Sequence, residues 1–169
     1  MAALRVPRRL SRRLSRRAAL LAGGVCVLGL GGAVVWAAGP FGGPPAGVEA
    51  AARGADPACA GVVDRVPGEL AGRELAGGSP PGVAVWGGGE VVLRCGFAPP
   101  PATVEHCVDI DGVHWVLEEA QRTGSTELIS YGRAPAVRLT LAEGFDRTDT
   151  ALIELSAAVA PIRQERQCM

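Results

Sequence analysis

The 169-residue chain contains no lysine and no asparagine, and all 17 of its basic residues are arginine. Lysine and asparagine codons are AT-rich, so this absence reports a GC-rich genome rather than a chemistry that requires arginine. The chain also lacks a G-x-S-x-G nucleophile elbow, a phosphate-binding P-loop, a G-x-G-x-x-G fingerprint and an H-E-x-x-H metal motif. The sequence therefore contains no motif that would place the protein in one of the enzyme classes that these motifs define.

The formal net charge of zero conceals an uneven distribution of charge. Residues 1–17 contain seven arginines and no acid, whereas the rest of the chain has ten arginines against 17 acids, a net charge of −7. Such asymmetry is typical of a chain that meets a membrane or a nucleic acid. The apolar segment that follows favours the membrane, and no nucleic-acid partner is predicted.

Residues 18–38 form an uncharged, apolar run of 21 residues. As a helix this run is about 31 Å long, which matches the roughly 30 Å hydrocarbon core of a bilayer. The preceding arginines predict a cytoplasmic tail over residues 1–17 and a C-terminal part outside the cytoplasm. Because the run is longer than a secretory h-region, we favour a retained single-pass plasma-membrane anchor; secretion after signal cleavage is the alternative.

The remainder divides into a linker and a folded domain. Residues 39–55 are rich in glycine and proline and are predicted to form a flexible linker. The extracytoplasmic domain is expected over residues 56–169. Asp56 is expected to cap a first helix, and Thr148 a second over residues 149–160.

Six short apolar runs separated by turn residues lie between these helices: 83–86, 91–97, 106–110, 113–117, 127–131 and 136–141. Asp111–Gly112 separates two of the runs and predicts a type I′ hairpin, because both residues tolerate positive φ. The predicted fold class is α+β: a small antiparallel sheet of about six strands with one helix at each end, preceded by a single N-terminal transmembrane helix.

Four of the five cysteines lie in the predicted extracytoplasmic domain, which we also call the outer domain: Cys59, Cys95, Cys107 and Cys168. In an exported domain of this size, four cysteines predict two disulfides, and three pairings are possible. Because Cys95 ends one apolar run and Cys107 begins a nearby one, we favour a Cys95–Cys107 bond. The remaining Cys59–Cys168 bond would tie the two ends of the domain together.

A metal is the competing interpretation of the same region, since Cys95, His106, Cys107 and His114 supply ligand types for zinc. Two observations oppose it. Adjacent strand residues such as His106 and Cys107 point to opposite faces, and oxidation outside the cytoplasm competes with ligation by thiolates. The sequence therefore predicts no metal and no other cofactor.

Polar residues that could act on a substrate are few. His114 with Asp109 or Asp111 could serve as a general base, but no nucleophile stands out among Ser125, Thr126 and Ser130, so no catalytic residue is assigned.

Three residues are candidates for ligand binding: Trp115, Tyr131 and Arg133. Arg133, in the turn after Tyr131, could bind a carboxylate or phosphate; an intradomain salt bridge is the alternative. Trp115 could line a groove, although packing in the core explains it better.

The chain resembles an actinobacterial family of membrane-anchored proteins catalogued as domain of unknown function 3515. The matching pieces are Cys59, "VVLRCG" (91–96), "CVDIDGVHW" (107–115), "SYGRAPAVRL" (130–139) and the terminal cysteine. The resemblance implies a membrane or exported setting and paired cysteines, and it implies no activity.

These observations predict a non-catalytic, membrane-anchored module outside the cytoplasm. Its partners would be the membrane, through residues 18–38, and an envelope protein or cell-wall component. The alternative is a small cell-envelope enzyme, hydrolase-like, that uses His114 with Asp109 or Asp111.

Overall fold

A computed structural model of the chain describes residues 47–118 and 124–168. The predicted cytoplasmic tail, the predicted membrane span over residues 18–38 and residues 39–46 of the predicted linker lie outside the described residues. Among the residues that are described, no helix is both long and apolar enough to cross a bilayer.

Regular structure in the described residues begins with helix α1 (Pro57–Val63) and ends with helix α2 (Thr148–Val159). Between them lie strands β1 (Glu69–Leu70), β2 (Arg73–Glu74), β3 (Val83–Trp86), β4 (Val91–Phe97), β5 (Cys107–Ile110), β6 (Val113–Glu118), β7 (Thr126–Ser130) and β8 (Ala136–Leu141). Strands β3 to β8 form an antiparallel sheet in the order β3-β4-β8-β7-β6-β5, and β1 pairs with β2. The predicted antiparallel sheet of six strands with a helix at each end is confirmed.

The two faces of the six-stranded sheet have different roles. Both helices pack on one face, which we call the helix face, because the buried side chains of α1 and α2 join those of the strands in one core. Trp86, Leu93, Trp115, Leu139 and Leu155 are fully buried there. At about 25 cal/mol per Å² of apolar surface removed from water, this core is the main stabilising contribution to the fold.

The opposite face, which we call the outer face, carries a smaller apolar cluster mixed with charged residues. Val116, Ile129 and Ala136 are buried in that cluster. Beside them, Arg138 forms an ion pair with Glu118 at 2.8 Å and lies 4.4 Å from the centre of the Phe97 ring. The outer face is therefore half polar, and no helix of the described residues belongs to its apolar cluster.

The start of α1 follows the prediction. Asp56 accepts a hydrogen bond from the N–H of Ala58 at 3.0 Å, and Pro57 occupies the first helical position. This hydrogen bond, together with the Arg53 side chain 2.6 Å away, lowers the pKa of the Asp56 carboxyl group. Arg53 also donates its backbone N–H to Gly96 of β4, so the end of the predicted linker contacts the sheet.

The start of α2 differs from the prediction. Thr148 is the first residue of the helix, and the N-cap position belongs to Arg147, whose side chain makes no capping hydrogen bond. The prediction was wrong because it relied on the preference of hydroxyl groups for N-cap positions. Here Asp149 in the first turn places negative charge at the positive end of the helix instead.

Of two tight hairpin turns, the sequence predicted one and missed the other. Asp111 and Gly112 have φ values of 51° and 76°, which confirms the predicted type I′ turn between β5 and β6. Ala71 and Gly72, with φ values of 50° and 83°, join β1 to β2 in the same conformation. That small hairpin was not predicted, because alanine is not a residue that such turns favour.

The cysteine pairing also differs from the prediction. Cys59 pairs with Cys95, and Cys107 with Cys168, at Cα–Cα distances of 5.4 Å and 6.4 Å. The Cys95–Cys107 pairing was wrong because three strands separate β4 from β5. Four strand spacings amount to about 19 Å, whereas a disulfide requires Cα atoms within about 7 Å.

The other predicted pair, Cys59–Cys168, fails for a second reason. Cys59 and Cys95 belong to the core of the helix face, whereas Cys107 and Cys168 contact the apolar cluster of the outer face. Each disulfide therefore joins residues on one face of the sheet, and neither ties the two ends of the domain to each other.

Candidate functional site

Five residues singled out from the sequence lie together on the outer face, and we call them the outer-face cluster: Cys107, Asp109, His114, Tyr131 and Cys168. Strand β5 pairs with β6 so that Asp109 lies directly opposite His114. The disulfide brings Cys168 beside Cys107, and both sulfurs and one ring nitrogen of His114 lie within 4.8 Å of one another. The fold thus assembles this cluster from three separate segments of the chain.

The segment that carries Cys168 is held on the outer face by the turn between β7 and β8. Glu165 donates its N–H to the carbonyl of Gly132 at 2.7 Å. A side chain at Gly132 would collide with the backbone of Arg166, so glycine is required for this approach. The Arg166 guanidinium lies 5.5 Å from the centre of the Tyr131 ring. These contacts fix Cys168 beside His114.

Both ring nitrogens of His114 make polar contacts. Nδ1 accepts a hydrogen bond from the N–H of Cys168 at 2.9 Å, and Nε2 lies 3.3 Å from Oδ2 of Asp109. Because Nδ1 accepts, the proton of the neutral imidazole is on Nε2, the nitrogen nearer the carboxylate of Asp109. While the N–H of Cys168 holds Nδ1, neither nitrogen has a lone pair free to take a proton from a substrate, which argues against a general base at His114 in the disulfide-bonded domain.

Of the two aspartates considered as partners for His114, the fold selects Asp109. Its Oδ1 accepts the N–H of Gly112 at 2.9 Å, across the hairpin turn, while Oδ2 faces the imidazole. Asp111 occupies the turn itself and is exposed. The hairpin therefore places Asp109 between its own turn and His114, as a positioning group.

Two of the hydroxyl groups considered as nucleophiles, those of Ser130 and Thr126, are not aligned with His114. Ser130 is fully buried, and its Oγ accepts the N–H of Val137 at 2.9 Å. Ser130 is the strand partner of Trp115 on the helix face, so the sheet separates it from the imidazole. Thr126 begins β7 four residues earlier, about 13 Å along the strand.

Arg133 is 4% exposed, and its guanidinium is occupied by backbone carbonyl groups. Nη1 donates to the carbonyls of Ala160, at 2.9 Å, and of Ile162. Nη2 donates to the carbonyl of Gly112 at 2.8 Å. Two of these carbonyls follow the C-terminal end of α2, where the helix dipole is negative. Burial lowers the pKa of Arg133, and its contacts are with carbonyls rather than with the acid expected for a salt bridge.

The two other residues predicted to bind a ligand lie on opposite sides of the sheet. Trp115 is fully buried on the helix face, where its Nε1 donates to Oγ of Ser156 at 3.0 Å. Tyr131 lines a cavity of about 100 Å³ beside the Cys107–Cys168 disulfide. The structure therefore does not bring Trp115, Tyr131 and Arg133 together around one ligand.

A larger concavity lies at the other end of the sheet, between α1 and the segment that leads into β3. We call it the α1 groove. Its volume is about 510 Å³, and its lining includes Ala60, Val63, Leu75, Ala76, Pro80 and Pro81. Of all the residues that line it, only Asp64 and Ser79 have polar side chains. The groove is thus apolar and about five times larger than the cavity at Tyr131.

Sequence reasoning did not identify the α1 groove. It did not single out Gly77, Gly78, Pro80 or Pro81, which precede the first of the six apolar runs. The available signal was the Pro80–Pro81 pair, which one glycine separates from a fully buried strand, β3. Such a pair holds an apolar surface in place without contributing to the sheet.

A family model described as "Protein of unknown function (DUF3515)" matches residues 20–168. The chain belongs to the DUF3515 family. The match includes both disulfides, the outer-face cluster and the α1 groove, and its description assigns no activity to any of them. Comparison with curated proteins and with solved structures gave no match for this DUF3515 member.

Proposed function

We propose that this DUF3515 member is a non-catalytic, membrane-anchored module whose outer domain binds a protein of the cell envelope in the α1 groove. The apolar lining of the groove carries the proposal. A wall glycan would need several polar groups to orient it, and the lining offers only the side chains of Asp64 and Ser79. An apolar segment of a protein suits this surface better than a wall component does.

Charge favours a basic residue in that partner segment. Asp64 is exposed where α1 ends, lines the groove, and has no ion pair within the described residues. The chain after residue 17 has a net charge of −7. A basic partner would be attracted to this domain over longer distances and would find a carboxylate at the groove.

The proposed location follows from the N-terminal sequence and from the cysteines. The seven arginines of residues 1–17 and the apolar run at 18–38 favour a single-pass plasma-membrane protein with a cytoplasmic N-terminus. Two disulfides within the described residues suit an oxidising compartment. Secretion after signal cleavage is the alternative. The GC-rich residue usage supports an actinobacterial cell as the setting.

The contacts of His114 support a non-catalytic role. An envelope hydrolase built on His114 and Asp109 has their 3.3 Å approach in its favour. However, the N–H of Cys168 occupies the nitrogen that would have to act as the base, and Ser130 lies on the other face of the sheet.

Photo-crosslinking of the full chain in living cells tests the binding proposal. Ala60 is exposed on α1 and lines the groove, so a photoreactive residue at position 60 should yield a crosslink to one envelope protein. The same residue at position 157, which is exposed on α2 and outside the groove lining, is the matched control and should not. Ala60→Glu should reduce binding of the identified partner at least tenfold, whereas Ala157→Glu should not.

Three results would overturn the proposal. The first is that the photoreactive residue at position 60 crosslinks only to wall glycan or only to a second copy of this chain. The full chain could turn over an envelope substrate and lose that activity in His114→Ala. Finally, a reporter fused after Met169 could be active only in the cytoplasm, which would reverse the proposed topology.

A further inference from the structure

We propose that the outer-face cluster is a redox-gated metal site, in which Cys107, His114 and Cys168 bind Zn²⁺ once their disulfide is reduced. This proposal does not depend on the α1 groove or on the proposed function. Both sulfurs and a ring nitrogen of His114 already lie within 4.8 Å of one another. The two sulfurs are bonded to each other in this structure, whereas in tetrahedral zinc sites the corresponding atoms are about 3.5–4 Å apart, so reduction has to let the sulfurs move apart before the three ligands can surround the metal.

His114 is oriented for this role by Asp109. A histidine that ligates a metal through one nitrogen usually donates its other N–H to a carboxylate, which fixes the ring and its tautomer. Nε2 of His114 faces Oδ2 of Asp109 at 3.3 Å, so Nδ1 is the ligating atom. Nδ1 faces the backbone of Cys168 at 2.9 Å, on the side of the ring where the second cysteine lies, and it becomes free to bind the metal once reduction releases the N–H of Cys168.

The chemistry of the ligands selects the metal. Thiolates and imidazole suit Zn²⁺, whereas Ca²⁺ and Mg²⁺ prefer oxygen ligands. Two thiolates also neutralise the charge of the dication. The cavity of about 100 Å³ beside the disulfide is lined by Thr103, Glu105 and Tyr131 among others. It is large enough to hold a water as the fourth ligand.

Reduction of the disulfide requires a dithiol as the electron donor. A thiolate of the dithiol attacks one sulfur of the Cys107–Cys168 bond, and its second thiol resolves the mixed disulfide. Two electrons and two protons pass to the cysteines, and the donor leaves as its own cyclic disulfide. When Zn²⁺ binds, the two thiol protons are released to solvent.

This site differs from the four ligands suggested by the sequence. Cys95 is bonded to Cys59 on the helix face, so it cannot join Cys107. His106 is exposed beside Cys107 and is not among the clustered ligands. Cys168, which replaces them, is 61 positions from Cys107 in the sequence. His106 therefore serves as a matched control for His114.

Cobalt binding to the full chain in mild detergent tests the proposal, because thiolate ligands give Co²⁺ a charge-transfer band. The oxidised protein should show no such band. After treatment with a dithiol and its removal under argon, the reduced protein should bind one equivalent of Co²⁺ with the band, and Zn²⁺ should displace it. Asp109→Asn should weaken Co²⁺ binding about 10- to 100-fold, His114→Ala should weaken it further, and His106→Ala should leave it unchanged.

The proposal fails if the reduced protein shows no thiolate band, or if His114→Ala and Asp109→Asn bind Co²⁺ as tightly as the parent. It also fails if the band persists in the double variant Cys107→Ala/Cys168→Ala, because Cys26 or another thiol would then be the ligand. Asp109 is largely exposed, so Asp109→Asn should fold. Its Co²⁺ affinity therefore tests the proposal even if His114→Ala does not fold.

Discussion

The two disulfides of the described domain enclose loops of 36 and 61 positions but lie in different surroundings. Cys59 and Cys95, 36 positions apart, are both fully buried in the core of the helix face. Cys107 and Cys168, 61 positions apart, are only partly buried, beside a histidine. Loop entropy gives both bonds a similar contribution to stability, so burial and neighbouring groups distinguish a structural bond from an exchangeable one.

Removal of each disulfide in turn should produce the largest effects. In the chain-entropy model, loss of either bond costs about 4 kcal/mol of unfolding free energy, a large part of the roughly 5–15 kcal/mol of a typical domain. Cys59→Ala/Cys95→Ala should be the less stable variant, because it also leaves a cavity in the core. Urea unfolding of both variants measures the difference. The reverse order of stability would contradict the assignment of Cys59–Cys95 to the core.

A second comparison concerns two arginines, one buried and one exposed. The buried one, Arg133, joins the hairpin turn at Gly112 to the end of α2. Arg133→Met should destabilise the domain by about 3 kcal/mol, since it removes one buried and two partly buried hydrogen bonds to carbonyls. Arg163→Met at an exposed position should change stability by less than about 0.5 kcal/mol. Thermal unfolding of the two variants provides the measurement. Equal effects would show that the carbonyl contacts of Arg133 contribute little.

A smaller effect is expected from the hydrogen bond between Trp115 and Ser156 on the helix face. Trp115→Phe should cost about 1–2 kcal/mol, in part because the fully buried Ser156 hydroxyl loses its partner. Adding Ser156→Ala should recover part of that loss. Urea unfolding of the two single variants and the double variant measures the coupling. Additive costs would show that the hydrogen bond does not stabilise the core.

The smallest predicted effect concerns the cap of α1 and depends on pH. The folded state lowers the pKa of Asp56, so its stabilisation is present above the unfolded value of about 3.9 and is lost as pH falls through the folded pKa. Asp56→Ala should therefore be less stable than the parent at pH 7, with the difference shrinking below about pH 4. A difference that stays constant to pH 2 would contradict this view of the cap.

Some local features of this domain could be predicted from the sequence, whereas the pairing of distant segments could not. The Asp56 cap and the Asp111–Gly112 turn depend on residues within a few positions of each other. The disulfide pairing depends instead on the strand order, which inserts β8, β7 and β6 between Cys95 and Cys107. No pattern along the chain reveals that order.

The same limit applies to the candidate sites. From the sequence, His114 was expected near Asp109 or Asp111, which lie within five positions of it. The position of Cys168 beside them depends on contacts of the final segment with the turn at Gly132. The α1 groove likewise forms from α1 and residues 75–84, which meet only in the folded domain.

Graded reduction of the full chain, followed by trapping of free thiols and peptide mapping, tests the contrast between the two disulfides most directly. Before reduction, peptides should be linked as Cys59–Cys95 and Cys107–Cys168. With increasing dithiol, Cys107 and Cys168 should become labelled while Cys59 and Cys95 remain bonded. A Cys95–Cys107 link, or opening of Cys59–Cys95 first, would contradict the assignment of one disulfide to the core and the other to an exchangeable site on the outer face.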